Sequence, residues 1–141
     1  MILVFIMLFL FGCSMYHEYG YRTNYKPPVI VSLHGSVPIN SVYLIKNDSS
    51  TLEKLPDLLS NPSLLRETLE RESRAKPYSQ ETVIQLTKFD NDVFPSKYRI
   101  VTYCKERFWD QGDFKVNEET SYGIDFNEDC SISKTIKPKQ P

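Results

Sequence analysis

Lys97-Tyr98-Arg99-Ile100-Val101-Thr102-Tyr103-Cys104 is the stretch that decides the fold. It alternates, with Tyr98, Ile100 and Cys104 on one face and Arg99, Val101 and Tyr103 on the other, which is the period of two expected of a β-strand. Upstream, Val29 to Leu33 and Ile39 to Ile45 are rich in β-branched and aromatic residues, and Gly35-Ser36-Val37-Pro38 between them suits a hairpin turn. Downstream, strands are expected at Ser121 to Phe126 and Ser131 to Ile136, with a short piece near Phe114-Lys115-Val116. A further strand, Thr82 to Lys88, precedes the central one.

The only helical region lies between the second and third strands. Ser50-Thr51-Leu52-Glu53 has capping-box spacing, and Leu52, Leu55, Leu58 and Leu59 fall on one helical face. Pro56 and then Asn61-Pro62 break the region in two, with Asn61 capping a second helix that opens on Pro62. That helix is expected to bury Leu64, Leu65 and Leu69. Its outer face spaces Arg66 and Glu70, Glu67 and Arg71, and Glu70 and Arg74 four apart, as a solvated face does. About seven short strands with one helical insertion after the second predict a mainly β protein, a two-sheet β-sandwich.

The composition is uneven. The 141 residues are 40% hydrophobic and 25% charged with net charge −1, yet all 35 charged residues follow Met1 to Gly12, of which only Gly12 is not apolar. Without that run the hydrophobic share of the rest falls to roughly 35%. The balance excludes a collagen-like chain, a multi-pass membrane protein and a nucleic-acid binder that relies on a strongly basic field. The apolar run has signal-peptide length and is shorter than the ~20 residues of a spanning helix. Leu10-Phe11-Gly12-Cys13 resembles the lipobox of bacterial lipoproteins, which implies cleavage between Gly12 and Cys13 and acylation of the Cys13 thiol. Several acyl chains hold a protein far better than one. Residues 1–12 are thus read as a signal peptide, and 13–28 as a lipidated tether with Tyr16, Tyr19, Tyr21 and Tyr25 closed by Pro27-Pro28. Residues 29–136 form the sandwich domain, and 137–141 a disordered tail. Ser14 after the cysteine resembles an outer-membrane address on the periplasmic face.

Cys104 and Cys130 remain as an even pair in an oxidising compartment, so a disulfide is favoured over two buried thiols. A metal site is disfavoured, because there is no C-x-x-C and the only histidines are His17 in the tether and His34 in the first strand. Asp90-Asn91-Asp92 and Asp125 to Asp129 resemble the start of a calcium loop but lack its glycine and its closing glutamate, and are read as turns. A Cys104–His34 nucleophile would need a free thiol. No phosphate loop, G-x-S-x-G or H-E-x-x-H occurs, so no enzyme and no cofactor beyond the covalent lipid is expected. Arg107, Phe108 and Trp109 end the strongest strand with the only tryptophan among charged residues, which suits partner anchors. Phe108 and Trp109 equally suit closing one end of the core.

The order of lipobox, tether, two strands, Leu-rich helical insertion and a strand running into Trp109 resembles the TssJ-type outer-membrane lipoproteins of type VI secretion systems. The matching pieces are Val42 to Ile45, Leu52 to Leu69, and Arg99 to Tyr103 through Trp109. The resemblance implies a transthyretin-like sandwich that tethers an envelope-spanning assembly to the outer membrane by binding the periplasmic domain of a TssM-like inner-membrane protein. It also places His34 and Val37, in the loop after the first strand, among the partner contacts. The longer Asn-Pro-Asp and Gly-Arg-Pro segment usual in that loop is reduced here to His34-Gly35-Ser36-Val37-Pro38. A stand-alone periplasmic inhibitor or ligand-binding lipoprotein is the alternative, and a hydrolase with a carboxylate site a minor third.

Overall fold

A computed structural model describes residues 28–35, 41–74 and 82–138. The leader, the Gly12–Cys13 junction, the tyrosine tether, Val37 and the last three residues lie outside them. Eight strands form two four-stranded sheets. The strands are β1 (Val29–His34), β2 (Val42–Lys46), β3 (Val83–Gln85), β4 (Asp90–Val93), β5 (Ser96–Cys104), β6 (Arg107–Val116), β7 (Thr120–Phe126) and β8 (Ile132–Pro138). Helices α1 (Ser50–Leu58) and α2 (Pro62–Arg74) stand between β2 and β3. Sheet 1 runs β4-β1-β7-β8 and sheet 2 runs β3-β2-β5-β6. All pairings are antiparallel except β1 with β7.

The molecule is a β-sandwich with a third, helical layer, and sheet 2 is therefore buried on both faces where the helices cover it. Between the sheets lie Val31, Leu44, Ile100, Phe114, Tyr122 and Ile124; between sheet 2 and the helices lie Tyr43, Ile45, Val101, Phe108, Leu65 and Leu69. This explains the unbroken apolar run Val42-Tyr43-Leu44-Ile45, which has a core to fill on either side. The Tyr98/Ile100/Cys104 face of β5 turns toward sheet 1, and Val101 and Tyr103 turn toward the helices.

Several expectations are corrected. β1 and β2 do not form a hairpin: they belong to different sheets, because β1 finds its partners in β4 and β7. Asp90-Asn91-Asp92 is not a turn but most of β4, an edge strand on which Asp90 and Asp92 face solvent. Asn91 makes it one, since its amide nitrogen donates to Thr87, Phe89 and Val31 carbonyls and its Oδ1 accepts from Thr87. The short piece near Phe114 is the end of a ten-residue β6, kinked where Gln111 and Gly112 oppose Ile100 alone. The N-cap of α1 is Ser49, whose Oγ accepts from the Leu52 amide, rather than Ser50. Pro56 sits within α1, and the break falls at Leu59 to Asn61. Asn61 Oδ1 caps α2 through the Leu64 amide. Leu64 itself is exposed, while Leu65 and Leu69 are fully buried. Lys137 and Pro138, expected in the tail, pair with Ser121 and Thr120 as the end of β8.

Candidate functional site

The connections that follow odd-numbered strands all reach one end of the sandwich. The β5–β6 turn is two residues long, and Lys105 and Glu106 both take positive φ (53° and 65°), as a hairpin matched to the right-handed twist of its strands requires. Beside it, Cys104 is joined to Cys130 in the β7–β8 turn with Cα atoms 5.8 Å apart. The β1–β2 connection starts at His34 and Gly35 and returns at Ser41, whose carbonyl accepts from the Tyr103 amide at 2.8 Å. Gly35 packs against Phe126, the last residue of β7. The β3–β4 loop arrives alongside, with Phe89 O accepting from the Leu33 amide at 3.4 Å.

Trp109 is held by two contacts at this end. Its Nε1 donates to Cys104 O at 2.8 Å, and the Arg107 guanidinium lies 3.7 Å above its ring, an arrangement that holds both side chains without immersing the charge. Behind it, Gln111 Nε2 donates to Cys130 O at 2.6 Å and to Thr102 Oγ1 at 3.1 Å, tying β6 to the disulfide turn. Across the end, the Asp129 carboxyl is held below the usual carboxylate range by the Ser131 hydroxyl first, then by the Ser131 amide. Lys105 adds a smaller favourable charge interaction with this carboxylate.

His34, on sheet 1, and Arg107 and Trp109, on sheet 2, lie at this same end, and the loop that carries Val37 starts and finishes there. Phe108 does not join them. Alternation along β6 turns it to the helical layer, where it is buried against Tyr103 at 4.9 Å. Arg66 of α2 then covers Tyr103, 4.1 Å from its ring centre. Trp109 is neither a core plug nor fully exposed; it forms the rim. Sequence reasoning missed Phe89, 76% exposed at this end, and its signal was a lone aromatic between Lys88 and Asp90.

No family model and no curated protein matches the sequence. Function must therefore be argued from geometry. Cys104 and Cys130 are bonded to each other, so neither offers a thiolate. Among the described residues no three His, Cys, Asp or Glu side chains converge as metal ligands would. The carboxyls with a resolved shift, Asp110 and Asp129, are both lowered, whereas a general acid at neutral pH needs the opposite. A surface hollow of about 630 Å³ lined by Pro95, Lys97, Lys115 and Glu119 lies at the far end of the sandwich, away from Trp109. Among the described residues no helix is long and apolar enough to cross a membrane. What the described residues of the loop end offer is a mixed-charge surface with two accessible aromatics, Trp109 and Phe89.

Proposed function

We propose that this chain is a lipid-anchored periplasmic interaction module that tethers an envelope-spanning assembly to the outer membrane. The observation that carries the reading is the position of the chain's entry. Val29 pairs with Val93, and the register of β1 with β7 sets Val29 beside Thr120, at the end opposite to Lys105 and Trp109. An anchor at Cys13 would therefore join the domain at the end opposite to the loop end, which stands at the far side of a strand about 17 Å long. A tether of sixteen residues, 13–28, adds up to about 55 Å of reach. The disulfide supports an oxidising compartment. The resemblance to TssJ-type lipoproteins supports a type VI secretion complex as the assembly and a TssM-like periplasmic domain as the partner.

Two measurements in intact cells test this. Alkyne-palmitate labelling is expected on the wild-type chain and not on Cys13→Ala, which leaves the membrane fraction. A photocrosslinking residue at Lys105 is expected to capture an inner-membrane protein, whereas one at Glu119, on the opposite end, is not. Retained labelling of Cys13→Ala overturns the anchor, and equal capture from both ends overturns the polarity.

A further inference from the structure

Two open sheets have four edges, and three of these are blunted. β3 is three residues long. β4 is four residues long and carries Asp90 and Asp92. β6 loses its regular register at Gly112, where φ is +93°. Such devices keep an edge from recruiting another strand.

β8 is longer and regular, and the charges it carries are Lys134 and Lys137, which turn away a like-charged strand but not an acidic one. Ile132–Pro138 pairs with β7 residue for residue, from Phe126 with Ile132 to Thr120 with Pro138, with no shift of register. Among the described residues nothing pairs with its other side. Ser133 to Lys137 are all exposed, so alternate amides and carbonyls stand in a straight row along the flank. Register with the buried Phe126, Ile124 and Tyr122 puts Ile132, Lys134 and Ile136 on the face turned toward sheet 2; Ile132 packs in part against the core, while Lys134 and Ile136 stay exposed. Ile136 is 66% exposed, and the Lys134 ammonium reaches across the open flank to Asp113 O at 2.9 Å, a neutral partner that leaves its charge unbalanced. Lys137 projects from the other face. The sequence from Ser131 onward has three lysines and no carboxylate.

The geometry points to β8 as a docking edge for an extended acidic segment of a partner protein, which adds to sheet 1 as a fifth strand. Charge selects this occupant over a second copy, because pairing β8 with itself gathers four lysines into one ribbon without a counter-ion. Side-chain spacing states what the segment carries when it runs antiparallel to β8. Apolar residues fall opposite Ile132 and Ile136, a carboxylate between them opposite Lys134, and a second carboxylate on the other face opposite Lys137. Read from its amino end, the segment is acid, apolar, any, acid, any, apolar. The site does not depend on the membrane anchor and is separate from the Trp109 end.

The test uses the full chain labelled with nitrogen-15 and two capped peptides, Glu-Val-Thr-Glu-Thr-Val and its counterpart with Lys in place of Glu. The acidic peptide is expected to shift amide signals over 132–138 and to slow exchange of the outward amides, and the basic peptide to do neither. Lys134→Glu with Lys137→Glu, two changes of exposed side chains, is expected to weaken the acidic peptide about tenfold and to admit the basic one. Equal binding of both peptides, shifts confined to other strands, or no binding overturns the proposal. So does protection of the outward β8 amides before any peptide is added, which would mean that the chain itself or a second copy already covers the edge.

Discussion

On the outer face of sheet 2, beyond the helices, Arg99 lies across two carboxylates. Its Nε and Nη2 reach both oxygens of Asp110 at 2.8 and 2.7 Å, and its Nη1 reaches Asp113 at 3.4 Å. The Arg99 hydrogen bonds hold the Asp110 carboxyl below its usual range against a partial desolvation that raises it, with the Gly112 amide assisting. A depressed folded-state pKa contributes stability above the unfolded value, near 4, that is lost as pH falls through the folded value. Arg99→Met is therefore expected to lower stability by about 0.5–1 kcal/mol at pH 7, given how open the pair is, and by progressively less as pH falls below ~4. Urea midpoints of both proteins across that range check it; a difference independent of pH removes the ion pair as the cause. Gly35 is a steric case. At φ +122° a Cβ would stand 3.1 Å from Phe126 Cβ and 3.2 Å from its carbonyl oxygen, so Gly35→Ala is expected to cost about 1–3 kcal/mol, measured by the same midpoints. At this scale the sequence was legible where chemistry is local: Asn61 as a cap needed only its own helix. The choice of Ser49 over Ser50 was not, since adjacent serines offer the same cap chemistry; the helix starts at Ser50, and Ser49 N donates to Lys46 O in the turn before it.

Elements reveal themselves in sequence when one face is dry and the other wet. β5 satisfied that condition less than its alternation suggested, because Val101 and Tyr103 face a second core made by α1 and α2. The helices were found from leucine spacing, but which leucines go inward depends on how α2 sits on β2 and β3. Leu64 and Leu65 are neighbours in sequence, yet one is 44% exposed and the other 0%. Leu65→Ala is expected to cost about 2–5 kcal/mol through the cavity it leaves, and Leu64→Ala less than about 0.5 kcal/mol, a contrast that denaturant titration of the two variants measures directly. β4 and the first half of β6 escaped notice because Asp90-Asn91-Asp92 and Asp110-Gln111-Gly112-Asp113 have poor strand propensity. Their partners supply what propensity lacks: β1 pairs all of β4, and Arg99 neutralises the carboxylates of β6.

Across the whole molecule, the two-sheet plan was legible from strand number and spacing, and the partition of strands was not. β1 pairs in parallel with β7, far along the chain, and no local pattern encodes such a partner. The cysteines were legible for a reason outside the sheets: the apolar leader implied an oxidising compartment, and pairing followed. In the structure that bond does more than close a loop. Cys104 ends β5 in sheet 2 and Cys130 lies in the turn after β7 in sheet 1, so the disulfide clips the sheets together at the end that carries Trp109, opposite to the end where the chain enters. Its 26-residue span corresponds to about 3–4 kcal/mol of chain entropy removed from the unfolded state. Replacing both cysteines by serine is expected to lower the thermal midpoint by roughly 10–20 °C, which calorimetry checks. Because Trp109 hangs on the Cys104 carbonyl, its emission is expected to shift to the red in the same variant even below the transition. On the proposed function, lipid labelling at Cys13 is expected to persist, since the proposed anchor would depend on the leader and not on the clip, whereas capture of a partner from Lys105 is expected to fall. A variant that lost labelling and kept capture would reverse the assignment of the two ends.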